Sequence, residues 1–140
     1  ILTLSMISQL LSQIFLISFF LNLLWEVIHS QLYDTCLNLP LKKYIPLIVI
    51  ASIKDGFWIS FFFIISVYLF DDINILTNYL QLSFFVFLAL SFSFIDEKIS
   101  IKRKRWKYSK QMPKIFGVGL TPLIELAVTG ILTFLYVFLI

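Results

Sequence analysis

The sequence predicts an all-α membrane protein whose four transmembrane helices form a bundle. Its 140 residues are 60% hydrophobic and have a mean hydropathy of +0.97, whereas soluble domains are about 45–50% apolar. Four apolar runs reach the roughly 20 residues that a helix needs to cross a bilayer: 4–28, 45–70, 75–95 and 116–140. These runs leave little chain over, so we expect residues 1–140 to form a single transmembrane domain.

The connections between the spans differ in charge. Eight of the 11 basic residues lie between Lys98 and Lys114 in the third connection and two lie in the first, whereas the second connection is acidic. Loops rich in Lys and Arg stay in the cytoplasm, so we expect the first and third connections to be cytoplasmic and both termini to be outside. The third connection is expected to be a solvated anchor that binds anionic lipid headgroups, at about 1 kcal/mol per basic residue, with Trp106 and Tyr108 in the headgroup layer. Because spans flank this basic run on both sides, nucleic acid is not the expected partner.

The first span carries a polar stripe. Helical periodicity places five polar side chains on one face: Ser18, Asn22, Glu26, His29 and Tyr33. A charged side chain at membrane depth costs about 2.5–3.5 kcal/mol and usually faces a partner or a wet cavity. We therefore expect this stripe to face the interior of the bundle.

The second span contains a lysine and an aspartate at consecutive positions. Lys54 and Asp55 lie about nine residues beyond the start of the span, or about 14 Å deep. Neighbouring side chains on a helix point in different directions, so Asp55 could pair with Lys54 or with His29. Lys54 could also snorkel to the inner surface. Gly56, which follows, allows a close helix approach.

The third and fourth spans have polar residues near their cytoplasmic ends. Asp96 and Glu97 are expected to be surface residues that offset the basic connection, although Asp96 could reach a pocket mouth. In the fourth span, Thr121 as N-cap and Pro122 at the first helical position predict a helix start, after a loop that dips into the interface. Glu125 would then complement the helix dipole. A second polar stripe at a spacing of four follows: Thr121, Glu125, Thr129 and Thr133.

Ionisable side chains occur only in the cytoplasmic halves of the spans, which predicts either a polar pocket open to the inner leaflet or a structural hydrogen-bond network. The candidate catalytic residues are Glu26, His29 and Asp55. The other candidate pocket residues are Asn22, Trp25, Tyr33, Lys54, Trp58, Thr121 and Glu125.

The spacing of Glu26 and His29 suits an acid–base pair, two metal ligands, or a structural contact near the helix end. A zinc ion would require a further protein ligand such as Asp55 or Glu125. No dinucleotide fingerprint or zinc-type Cys/His spacing occurs, and Cys36 is the single cysteine. The sequence therefore assigns no cofactor and no metal, and it leaves open whether Glu26 and His29 bind one.

Three motifs resemble those of a known group of proteins. They are WEVIH at 25–29, WKYS at 106–109 followed by Met112-Pro113, and GVGLTP at 117–122. Together they resemble a family of small four-helix integral membrane proteins from bacteria and archaea, and the resemblance covers nearly the whole chain. It implies the four-helix fold and the importance of these motifs, but it implies no reaction.

A weaker resemblance, in four helices with a glutamate and a histidine facing inward, is to the sterol isomerase-like membrane proteins. That resemblance implies protonation of a ring double bond, with Trp25 and Trp58 stabilising the resulting cation.

The sequence thus favours an intramembrane pocket that acts by acid–base chemistry on a lipid or isoprenoid-like substrate. The alternative is a non-catalytic subunit or assembly factor whose polar stripes bind partner helices in a larger membrane complex. Ion or proton conduction is less favoured, because no polar path continues through the outer half.

Overall fold

The computed structural model describes residues 3–140, and it confirms the predicted bundle of four transmembrane helices. Four helices in this range are long and apolar enough to cross a membrane. The long helices are α1 (Leu4–His29), α3 (Leu41–Phe70), α4 (Tyr79–Lys102) and α5 (Leu120–Leu139). The short elements are a 3₁₀ turn (Ser30–Leu32), α2 (Asp34–Leu37) and the antiparallel strands β1 (Lys114–Ile115) and β2 (Val118–Gly119).

The first three long helices differ from the expected spans mainly at their ends. Helix α1 runs one residue past the expected end, and α3 begins directly after Pro40, four residues earlier than expected. Helix α4 begins later than expected because the Asn78 side chain caps it by accepting a hydrogen bond from the Gln81 backbone N–H. It also continues beyond residue 95, because Glu97 and Ser100 are buried and pack against the rest of the protein.

The start of the fourth long helix was predicted at the wrong residues. Gly119, not Thr121, occupies the N-cap position, and residues 114–119 form the two-stranded ribbon instead of helix. The turn of this ribbon contains Phe116 and Gly117, both with positive φ. Thr121 does not cap the helix, because its hydroxyl contacts His29 and Met112 instead.

The long helices form a four-sided bundle. Helix α1 packs against α3 and α5, and α4 packs against α5 and α3, so α1 and α4 lie at opposite corners. The apolar core contains the fully buried side chains of Ile14, Ile59, Phe85 and Phe134. Helices α4 and α5 approach closely at Gly130, where an added Cβ would lie 2.5 Å from the Phe85 ring.

Residues 103–119, which we call the roof, fold back onto the end of the bundle. The Asp34 backbone N–H donates to the carbonyl oxygen of Lys107 at 2.9 Å. The Ser109 N–H donates to the carbonyl oxygen of Leu32 at 2.8 Å. The roof is therefore tied by its backbone to the segment that follows α1.

The roof has one set of exposed side chains and one set that is buried or half-buried. The basic side chains are exposed, as a solvated anchor requires, whereas Trp106 and Tyr108 are half-buried and Ser109 and Met112 are buried. The polar atoms of Trp106 and Tyr108 bind the Glu97 carboxylate.

Candidate functional site

A cavity of about 640 Å³ lies beneath the roof, between the four long helices. Its polar wall carries Glu26 and His29 from α1, Asp55 from α3 and Glu125 from α5, and we call these four residues the His29 cluster. The other side of the cavity is apolar and includes the exposed side chains of Leu47, Ile50 and Phe57 on α3. The cavity thus joins a polar interior to a surface that would face lipid. Trp58, whose ring centroid lies 4.4 Å from that of Phe92 on α4, lines it too.

His29 is held by contacts at both ring nitrogens. Its Nε2 lies 3.2 Å from Glu26 Oε2 and 3.8 Å from Glu125 Oε1. Its Nδ1 lies 3.0 Å from the Thr121 hydroxyl oxygen, which also lies 3.4 Å from Met112 Sδ. When that hydroxyl donates to Met112, it can accept a hydrogen bond from Nδ1. The other nitrogen, Nε2, faces two carboxylates, a position that suits a proton or a cation.

Three carboxyl groups meet at this position. Asp55 is in side-chain contact with both Glu26 and Glu125, although these residues come from different helices. Within residues 3–140, Asp55 Oδ2 and Glu125 Oε2 are buried and have no hydrogen-bond partner. Adjacent carboxylates with little solvent repel each other, so the cluster needs shared protons or a positive charge.

The two polar stripes position the cluster by packing against each other. The Thr129 hydroxyl donates to Asn22 Oδ1 at 3.2 Å, which joins α5 to α1. The Asn22 amide in turn donates to the carbonyl oxygen of Ser18 at 2.7 Å. Glu26 lies one turn and His29 two turns farther along α1 than Asn22, and Glu125 lies one turn earlier along α5 than Thr129, so these contacts bring them together.

The remaining candidate pocket residues divide into two groups. Lys54 and Tyr33 line the cavity, whereas Asn22, Trp25 and Thr121 do not. The Trp25 indole donates to the carbonyl oxygen of Thr121 at 3.2 Å and so anchors α1 to the start of α5. Lys54 makes no ion pair with Asp55 in the described part of the chain.

Two expectations for carboxylates near the ends of the spans are wrong. Glu125 does not lie in the first turn of α5, which begins at Leu120, and it is instead buried beside His29. Glu97 is not a surface residue, since it is only 6% exposed. Its neighbour Asp96, by contrast, lines the cavity, as the sequence allowed.

Glu97 is the functional candidate that the sequence missed. Its Oε2 accepts hydrogen bonds from the Trp106 indole at 2.9 Å and the Tyr108 hydroxyl at 2.7 Å, and its Oε1 accepts one from the Tyr33 hydroxyl at 3.2 Å. Burial, reinforced by the charge of Glu97, raises the pKa of both tyrosine hydroxyls, so they remain donors. Glu97 therefore fastens the roof to α4.

One sequence signal could have identified Glu97. Ser93, Glu97 and Ser100 follow a helical spacing of four and three along α4, and all three are buried. Such a stripe predicts a face that packs against protein.

Comparison of the chain with protein-family models, with curated proteins and with solved structures finds no match. The fold and the site are therefore interpreted from the geometry alone.

Proposed function

We propose that this protein binds an amphiphilic membrane lipid in the cavity and transfers protons to and from the polar end of that lipid. The observation that carries the proposal is the position of the His29 cluster, at the inner wall of a cavity whose opposite side is exposed and apolar. Ionisable groups inside a membrane segment are costly and typically mark a functional path or site. A lipid would satisfy both surfaces at once.

The size and lining of the cavity fit such a ligand. Its volume of about 640 Å³ lies within the range of about 300–1,000 Å³ found for small-molecule sites. An isoprenoid-like chain would extend past the exposed Leu47 and Ile50 on α3 and remain in contact with lipid tails. The polar end would then lie beside Glu26, His29 and Asp55.

The proposed chemistry is general acid–base catalysis. His29 would donate a proton from Nε2 to the substrate. Glu26, at 3.2 Å from that nitrogen, would hold the ring charge, and Asp55 would accept a proton from the substrate. The rings of Trp58 and Phe92 would stabilise positive charge that develops on an isoprenoid-like chain.

The proposal includes an orientation. The cavity and both basic connections lie at the same end of the bundle, so the positive-inside rule places the cavity in the cytoplasmic leaflet. The exposed Lys and Arg side chains from Lys98 to Lys114 would bind anionic headgroups there.

The test is to measure the lipid retained by purified Glu26→Gln and His29→Ala variants. Lipid extracts of the wild type should be enriched in one species relative to the bulk membrane, and both variants should lose that enrichment. Asp71→Asn, at the far end of the bundle, is the matched acid-to-amide control and should retain it. If both variants fold normally and keep the same lipid, the proposal is wrong.

A further inference from the structure

We propose that Glu26, His29 and Glu125 form a binding site for a divalent transition-metal cation. The site needs only the side chains of the cluster, and its occupation does not depend on a bound lipid. One donor atom from each of these residues lies within 4.8 Å of the other two.

The distances match those of a coordination sphere. Bonds of about 2.0–2.1 Å at a tetrahedral angle place neighbouring ligand atoms roughly 3.3–3.4 Å apart. The separations of His29 Nε2 from Glu26 Oε2 and from Glu125 Oε1 are 3.2 and 3.8 Å, on either side of that value. Small side-chain shifts would therefore close the site around a cation.

The contacts of His29 leave its Nε2 atom facing the proposed cation, because Nδ1 lies against Thr121. The Thr121 hydroxyl can accept a hydrogen from Nδ1 while it donates to Met112 Sδ, and the lone pair on Nε2 would then be directed at Glu26 and Glu125. Metal-binding histidines are usually oriented in this way by a second-shell partner on the other nitrogen. Thr121 would be that partner.

An independent observation also points to a positively charged ligand. Glu125 is 4% exposed and its Oε2 has no hydrogen-bond partner among residues 3–140, and the same is true of the buried Asp55 Oδ2. Unpaired carboxylate oxygens are costly to bury. A divalent cation held by Glu26, His29 and Glu125 would balance the negative charge around both of these oxygens.

The ligand set identifies the class of cation. One imidazole with carboxylates suits Zn²⁺, Mn²⁺ or Fe²⁺, whereas Ca²⁺ takes about 6–8 oxygen ligands. With a cation bound to Glu26, His29 and Glu125, Asp55 would be the remaining carboxyl group of the cluster available for proton transfer. The cation would displace any proton that the cluster holds, so binding would release protons.

The test is a calorimetric titration of chelator-treated, lipid-depleted protein in detergent with Zn²⁺, in two buffers of different ionisation enthalpy. Co²⁺ provides a second probe through its visible absorption when bound. The wild type should take up one equivalent with release of protons. Glu125→Gln and His29→Gln should weaken binding by at least about 100-fold, and Thr121→Val by about 10–100-fold. Asp96→Asn, which alters a cavity carboxylate outside the site, should bind as the wild type does.

The proposal is overturned if the wild type takes up no stoichiometric Zn²⁺ or Co²⁺, or if the two ligand variants bind as tightly as the wild type. An equal loss of cation affinity in Asp96→Asn also overturns it, since the cation would then be attracted by the overall negative charge of the cavity and not bound by specific ligands. Should Glu125→Gln fail to fold, the wild-type titration and Thr121→Val decide. Because lipid is absent from this assay, failure of cation binding leaves the lipid proposal standing, and the lipid test does not report on the cation.

Discussion

Removing the Glu97 carboxylate should release the roof from the bundle. Glu97 accepts hydrogen bonds from Tyr33, Trp106 and Tyr108, so Glu97→Ala leaves three donors without their acceptor. Glu97→Gln is a sharper comparison, because its amide oxygen can still accept from Trp106 and Tyr108. Its NH₂ group can donate to the Tyr33 hydroxyl, which can rotate to accept.

The free energy by which Glu97→Ala favours the open roof depends on how deeply each of the three hydrogen-bond donors is buried. A hydrogen bond to a charged group contributes about 1.5–3 kcal/mol, but Trp106 and Tyr108 are half-buried and can bind water once released. Tyr33 is 8% exposed and has less access to water. We therefore expect Glu97→Ala to favour the open roof by roughly 3 kcal/mol, or about 100-fold. Glu97→Gln loses only the charge assistance, about 1 kcal/mol or 5-fold.

Limited trypsin digestion measures the opening of the roof. The segment from 102 to 110 is rich in lysine and arginine, and its cleavage rate follows the open population when closing is faster than cleavage. Glu97→Ala should be cleaved about 100-fold faster than the wild type, and Glu97→Gln only a few-fold faster. Asp96→Ala is the neighbouring control and should change little. Equal rates for wild type and Glu97→Ala, or for the alanine and glutamine variants, would refute the role of Glu97.

Three further predictions concern packing, the far end of the bundle and thiol reactivity. Gly130→Ala should destabilise the bundle by about 1–3 kcal/mol in thermal unfolding, because the added Cβ would lie 2.5 Å from the Phe85 ring. Gly56→Ala should have a smaller effect, since its added Cβ would lie no closer than 3.3 Å to its nearest neighbour. Gln81→Leu should cost about 1–3 kcal/mol in the same assay, since the fully buried amide donates to the Asp72 carbonyl oxygen at 2.7 Å. Burial raises the pKa of the Cys36 thiol, so less thiolate is present at pH 8 and the thiol should be alkylated more slowly than a free cysteine. Alkylation at the rate of a free cysteine would contradict this prediction.

Helical periodicity was sufficient to place the polar residues of α1 and α5. A spacing of three and four puts Asn22, Glu26 and His29 on one face, and the cost of burying them in lipid indicates that this face turns inward. The structure places Asn22 against Thr129 and His29 beside Glu125. Local pattern and membrane energetics together therefore select the interior face, although they do not specify the partner of each residue.

The roof could not be predicted in this way, because it depends on contacts between residues far apart in sequence. Leu32 and Ser109 are joined by a backbone hydrogen bond, and Tyr33 and Glu97 by a side-chain bond. No local periodicity encodes such pairs. The charge of the basic run indicated a solvated loop and gave no sign that Trp106 binds Glu97.

Tyr33 contacts both the His29 cluster and Glu97, the residue that fastens the roof to α4. Its ring lies perpendicular to that of His29, with centroids 5.4 Å apart, while its hydroxyl binds Glu97. A displacement of Tyr33 would therefore alter both the packing of His29 and the closure of the cavity. Because the roof and the segment after α1 are tied by their backbones, opening of the roof would expose the cluster to water. The same residues that cover the cavity thus keep its carboxylates in an environment where a proton or a cation interacts strongly with them.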